Sequence, residues 1–380
     1  MNRPLRVCWF GTWREEYSRN RIMIEGLRSS GVEVVECHVP LWGSIDDRVR
    51  LVGGRWSKVV FLFRAIGAGL RLVGRSFFTG RWDVLMLGYP GPFDAYLARP
   101  LAWLRRKPLV LDAFMSPWLI AWERGLVQRS PLTGRFLHAA EKGGLKLADL
   151  IVQDTEEYAA WTTREFGIPR DRIRLVPTGA DSARFSPRPG PAAKDGLFRV
   201  LYAGTFIPNH GVPTIIRAAE QLKDDPAIRF VFIGDGPDKA AAEVYAKEKE
   251  LRNVSFEPWV PGEALPARLA EADVCLGAFG TTPQSLMTIQ NKIYEGLAMA
   301  KPVLTGDSPA VRAVLAHGQQ VWLCPRENSA ALAEAVLALK ADPALRERLG
   351  KNGRSRFLEI GSLEAVGAAL RRHLEERVGR

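Results

Sequence analysis

The sequence predicts an α/β protein built from two doubly wound parallel-sheet domains, Rossmann-like in plan and joined by one linker. Three observations carry that expectation. Apolar runs of four to six residues alternate with stretches of helical period along the whole chain, the pattern of parallel strands covered on both faces. The 380 residues exceed what one hydrophobic core usually holds. The alternation stops once, at the Pro/Gly-rich segment "SPRPGPAAKDG", residues 186–196, which reads as the linker.

Taken in order, the first-half strands are expected at 5–10 (LRVCWF), 33–38, 84–88 (VLMLG), 108–113 (PLVLDA), 149–152 and 173–177. Those of the second half are expected at 198–203 (FRVLYA), 228–233, 253–257, 273–278, 302–305 and 320–324. The domains are expected at 1–188 and 189–358, with a terminal helix at 359–380 packing back on the first domain. Two doubly wound domains joined in this way form a cleft, and ligands bind where strand C-termini face it.

Composition narrows the classes. The net charge of +11 is uneven: residues 1–190 hold 29 Lys/Arg against 19 Asp/Glu, and residues 191–380 hold 24 against 23. Only the first half is expected to meet an anionic surface. Cys8, Cys37, Cys275 and Cys324 lie far apart with no CxxC pair, which argues for reduced thiols in a cytoplasmic protein and against a zinc site or disulfide framework. The opening "MNRPLRVCWFGTW" has too short an apolar run for a signal peptide, and no apolar stretch approaches the ~20 residues of a membrane span.

The sharpest local question is "TIQNKIYEGLAMAKPVLTGD", residues 288–307, a helix from about Asn291 to Met299 leading into a buried strand. Its first turn carries both Lys292 and Glu295, and the helix dipole favours only the acid there. The pair points to a ligand with an anionic group beside neutral hydroxyls, against the plain reading of a solvated Lys/Glu pair. Gly204–Gly211, "GTFIPNHG", lies between a strand and a helix, where glycines let backbone approach a phosphate. "GDGPD", 234–238, is equally a loop beneath a nucleotide or a plain strand-to-helix turn. Gly11-Thr12 follows the first strand, far short of GxGxxG. Asp112 and Asp94 sit near the expected cleft as candidates to orient or deprotonate an acceptor hydroxyl, with Asp94 also readable as a helix N-cap.

With these stretches on the page, the chain resembles the GT-B glycosyltransferases, family 4 in particular. The likeness rests on "ADLIVQDTEEY" (148–158), "LVPTGADSARFSP" (175–187), "LYAGTFIPNHGVPTIIRAAEQL" (201–222), "FVFIGDGPDK" (230–239) and "NKIYEGLAMAKPVLTGD" (291–307), in the family's order. It implies a transferase, with retention, moving a sugar from a UDP- or GDP-linked donor to a lipid-linked or cell-envelope glycan acceptor. By resemblance, Glu295 accepts from the ribose hydroxyls, while Lys292 and the helix N-terminus face the diphosphate. Gly11, Thr12, Gly204, Thr205, His210, Gly234, Asp235, Gly236, Val260, Thr288 and Asn291 complete the implied donor site, and His210, Lys292 and Asp112 are the implied catalytic residues.

The chain departs from the family in several places. The family's usual arginine and lysine of the 204–211 loop are Thr205 and His210. The first glutamate of its E-x7-E pair is Met287, and no histidine follows the fourth or fifth strand. No D-x-D occurs, so neither a metal nor another cofactor is expected, and leaving-group charge falls to Lys292 and backbone N–H groups. The competing readings are a noncatalytic GT-B binding protein and a nucleotide-sugar epimerase.

Residues 48–81 hold eight basic residues (Arg48, Arg50, Arg55, Lys58, Arg64, Arg71, Arg75, Arg81) and no acid. Trp56, Val59, Val60, Phe63, Ile66, Leu70, Val73 and Phe77 recur there at spacings of three and four, one apolar helix face with Arg64, Arg71 and Arg75 away from it. Such a helix suits an anionic bilayer, placing the protein peripherally on the inner face of the plasma membrane. No base-reading motif accompanies the charge, so nucleic acid is not expected.

Overall fold

A computed structural model describes residues 3–13, 17–41, 55–189 and 196–379, with backbone alone at 55–62. Two compact units result: Met1–Pro177 with Leu363–Arg380, and Thr178–Ser362. The first division falls ahead of the expected 188, because Ala180 and Phe185 are buried in the core of the second unit. The expected linker lies partly outside the described residues, at 190–195.

All twelve strands form where the apolar runs place them. In the first unit they are β1 (Arg6–Gly11), β2 (Glu33–His38), β3 (Val84–Leu87), β4 (Leu109–Asp112), β5 (Leu150–Gln153) and β6 (Ile173–Leu175). They pair in parallel in the order β2-β1-β3-β4-β5-β6. The second unit holds β7 (Phe198–Ala203), β8 (Ile228–Ile233), β9 (Val254–Glu257), β10 (Val274–Leu276), β11 (Val303–Gly306) and β12 (Trp322–Cys324), in the order β12-β11-β10-β7-β8-β9. Strand order reverses between β1 and β3 in one sheet and between β7 and β10 in the other, the positions where such sheets take ligands.

Alternation explains the unbroken apolar runs. Val200 and Tyr202 enter one core cluster and Leu201 and Ala203 the other, so β7 is buried on both faces. In β1, Cys8 and Phe10 face one cluster and Val7 and Trp9 the opposite one. The terminal helix Leu363–Val378 belongs to the first unit, against the helix Ser18–Ser29. The two backbones meet at Gly26 and Gly367, where a Cβ on Gly367 would lie 1.8 Å from Gly26 O. A side chain at either position would force the helices apart.

Candidate functional site

Beside the reversal point of the second unit, β7 runs into Gly204 and its neighbour β8 into Gly234. The two loops are zipped: Gly204 N donates to Ile233 O (2.9 Å), Phe206 N to Asp235 O (2.8 Å) and Asp238 N to Phe206 O (3.1 Å). A Cβ at Gly234 would fall 2.0 Å from Gly204 O, and one at Gly236 2.5 Å from Phe206 O. These glycines are required by loop-on-loop packing alone, so they are not by themselves a sign of a phosphate. Asp235 is exposed and accepts from Gly236 N (2.7 Å), a local turn bond. Lys239 ties the loop down, donating to Gly234 O (2.8 Å) and Glu257 O (3.2 Å).

The helix Asn291–Ala298 sets its first turn against this pair of loops. Lys292 is buried, and its Nζ stands 2.6 Å from where a Cβ of Gly204 would be. The ammonium rests 3.9 Å from the centre of the Tyr202 ring, a cation–π distance. Among the described residues no carboxylate lies within ion-pair distance of it. Burial pushes Lys292 down to about 7, with the nearby charge of Glu295 opposing. A buried amine of that kind is incompletely compensated, and an anion arriving beside it would restore its charge. Glu295 follows one turn on, half-buried, as does Asn291 at the helix start.

His210 closes the other side. Its Nδ1 lies 2.6 Å from Thr205 O, so the proton sits on Nδ1 and the Nε2 lone pair is left as an acceptor. Tyr202 Oη also donates to Thr205 O (2.6 Å). With Nδ1 donating, the 3.3 Å approach of Lys292 Nζ to that nitrogen is packing and not a hydrogen bond. Burial, then the Lys292 charge, hold the imidazole well below its ordinary value, against the Thr205 bond. His210 is therefore neutral, and it brings no positive charge to a phosphate.

A second layer braces the His210 loop. Arg326 donates to Asp307 O (2.7 Å), Gly280 O (2.6 Å) and Ser285 Oγ (2.9 Å), and Ser285 Oγ donates to Asn209 O (2.5 Å). Sequence reasoning missed Tyr202, Lys239 and Arg326. Their signal was position alone: Tyr202 inside β7, Lys239 after "GDGPD", Arg326 just past β12. Two further expected donor residues have side chains engaged in the fold. Thr288 is buried and its hydroxyl donates to Gln284 O (2.9 Å), so it is spent on the fold. Val260 is half-buried against the core around Ile289 and Ile293.

The first-unit candidates are corrected more sharply. Asp112 is not an open base: it is fully buried and held by Arg19, with Nε and Nη2 contacts of 2.8–3.0 Å. Arg19 also donates to Val176 O (3.3 Å) and stacks 4.6 Å from the Phe114 ring. Asp94 occupies the N-cap position of the helix Ala95–Leu104 but makes no capping bond. Its carboxylate instead accepts from Thr12 N (2.7 Å) and Thr12 Oγ (3.1 Å), and a Cβ on Gly11 would fall 2.6 Å from it. Burial pushes Asp94 up to about 6 in spite of those bonds. Gly11 and Thr12 thus serve the Asp94 contact, and the polar groups of Thr12 are already engaged.

A double sheet of this topology, with its buried cation at the reversal point, is the GT-B architecture. The family model "Glycosyl transferase 4-like domain" matches residues 11–179, and "Glycosyl transferases group 1" matches residues 186–356. The chain belongs to glycosyltransferase family 4. It is 25% identical over 273 residues to an alpha-D-kanosaminyltransferase of Streptomyces kanamyceticus, covering 69% of each chain. It is 28% identical over 212 residues to a lipopolysaccharide core biosynthesis glycosyltransferase of Rhizobium meliloti, covering 53% of this chain and 58% of the relative. Other curated relatives are matched over about half their length, 52% and 45%. Sucrose-phosphate synthase from Thermosynechococcus elongatus has the same fold, with TM-score 0.74 at 17% identity over 99% of both chains. So has Anabaena HepE, solved in complex with UDP-glucose, with TM-score 0.69 at 14% identity over 98% of this chain and 100% of that one.

Proposed function

We propose that the chain is a hexosyltransferase that binds a UDP- or GDP-sugar in its second unit and passes the sugar, with retention, to a hydroxyl of a lipid-linked or cell-envelope glycan. The observation that carries this is Lys292: a buried ammonium with no carboxylate at ion-pair distance among the described residues, at a helix N-terminus beside Gly204. Family members commonly put the diphosphate cations in the 204–211 loop. Here the loop supplies a neutral His210, and the helix supplies the charge at nearly the same place. Lys292 and the N–H groups of the helix start would carry the charge that develops on the departing diphosphate. Glu295, one turn on, would accept from the ribose hydroxyls. His210 Nε2 would accept a hydroxyl of the sugar or acceptor. The lipopolysaccharide-core relative supports an envelope acceptor, and HepE, bound to UDP-glucose, supports the donor class.

A thermal-shift screen of the whole chain against nucleoside diphosphates and their sugars tests the reading. One base should raise the melting temperature more than the others. Glu295→Ala should then weaken that nucleotide by roughly tenfold, the worth of a charge-assisted hydrogen bond, and leave the protein folded. A Glu295→Ala protein with the parent's dissociation constant would remove the ribose assignment. Slow release of nucleoside diphosphate from the donor without acceptor separates a transferase from a noncatalytic binder. Activity is also expected to survive EDTA, since no D-x-D is present to bridge a metal to the diphosphate. Full loss in chelator with recovery on manganese would overturn that expectation.

A further inference from the structure

In the helix Arg55–Ser76, the residues facing the core are small or few: Ala68, Leu72 and Ser76, spaced by four. The large apolar side chains point elsewhere. Phe63 is 70% exposed and Leu70 71%, with Ile66 between them on the same stripe. The plain alternative, an ordinary helix with its apolar face on the core, is thereby excluded for the described part. Arg48 and Arg50 lie outside the described residues, as do the side chains of Arg55, Trp56, Lys58, Val59 and Val60.

The exposed stripe continues onto the neighbouring helix Ala95–Leu104. A Cβ on Gly69 would lie 3.1 Å from Leu97 Cδ1, so the two helices touch beside Leu70. Arg105 donates to Ser76 O (3.3 Å) and to Gly80 O, which brings the chain at Phe77 and Phe78 next to the end of the second helix. Trp103 there is 63% exposed and Leu104 74%. The outer face of this helix, Tyr96, Leu97, Pro100, Trp103 and Leu104, carries no charge at all. Soluble surfaces rarely leave so many large apolar groups side by side without a partner.

Charge selects the partner. Between residues 48 and 107 the acids are Asp83 and Asp94, both buried, Asp83 on Arg3 (2.6 Å) and Asp94 on Thr12. Exposed Arg64, Arg71 and Arg106 flank the apolar stripe. We infer that this two-helix face of the first unit docks on an anionic phospholipid surface, its aromatic and leucine side chains entering the acyl boundary and its arginines meeting headgroups. Binding here is independent of the donor reading, because every residue involved lies in the first unit. Arg75 is excluded from the lipid-facing set, since it donates to His38 O and so holds the helix to β2, whereas the bond of exposed Arg64 to Leu41 O is long and solvent-exposed, at 3.4 Å.

The test uses the whole chain in sedimentation with vesicles of phosphatidylcholine alone and of phosphatidylcholine with phosphatidylglycerol. The protein should sediment with the anionic vesicles, bind the neutral ones weakly, and be partly released by high salt. The pair Leu70→Asp with Leu104→Asp should lower anionic-vesicle binding at least tenfold, with an unchanged thermal melt because both side chains are exposed. The pair Arg64→Glu with Arg71→Glu should remove the preference for anionic over neutral vesicles. Parent-like vesicle binding by the leucine pair overturns the inference. So does a concentration-dependent dimer that the leucine pair dissolves without any vesicle binding by the parent, which would make a second copy the occupant.

Discussion

Lys292→Met should make the protein more stable and at the same time cost it its nucleotide. Burial holds the amine at about 7, against 10.5 unperturbed. Between those values the unfolded chain binds more protons than the folded one, so stability rises with pH across that window and the penalty is fully present below it. Removing the charge should therefore raise the melting temperature most near pH 6, by an amount worth on the order of a few kcal/mol, and leave it unchanged at high pH. Nucleotide binding moves the other way. An anionic diphosphate stabilises the charged amine, so binding above neutral pH takes up a proton. The parent's affinity for its diphosphate should fall as pH rises above about 7, by at most about tenfold per pH unit. The Met variant should bind at least roughly thirtyfold more weakly and show no such slope, given the usual worth of a charge-assisted bond. Titration calorimetry at several pH values reads both effects. A Met variant that binds like the parent, or a parent whose affinity is level across this range, would end the assignment of Lys292 to the diphosphate.

Asp112→Ala is expected to damage the fold and not the chemistry. It would strand the fully buried Arg19 guanidinium without its carboxylate. Breaking such a pair costs about 3–5 kcal/mol, or a drop of about 10 °C in a unit of this size. The double variant Arg19→Met with Asp112→Ala should recover most of that loss, because the uncompensated charge is gone. Nucleotide binding in the second unit should persist in both. Should Asp112→Ala melt with the parent yet lose turnover, Asp112 returns to catalysis.

Much of this was legible beforehand, and for a definite reason. A strand buried on both faces must be apolar at successive positions, so all twelve strands could be read as short runs between turn residues. The helix start at Asn291 was legible too, although the helix places only Lys292 in its first turn and Glu295 at the start of the next. Charge counting found the basic segment of the first unit.

What sequence spacing could not tell is which partner each polar group had already taken. Asp112 and Asp94 read as open carboxylates at strand and helix ends, and only packing revealed Arg19 across 93 residues and Thr12 across 82. Thr288 looked like a loop hydroxyl and is consumed by Gln284. The protonation of His210 is set by a carbonyl, burial and a lysine 82 residues away. The apolar stripe of the helix Arg55–Ser76 is periodic in sequence, but periodicity does not say which side faces inward. The fold decides that, seating Ala68 and Leu72 on the core and turning Phe63 and Leu70 out. Local pattern fixes elements because backbone geometry is local. Protonation, availability and exposure depend on neighbours distant in sequence, so they belong to the tertiary structure.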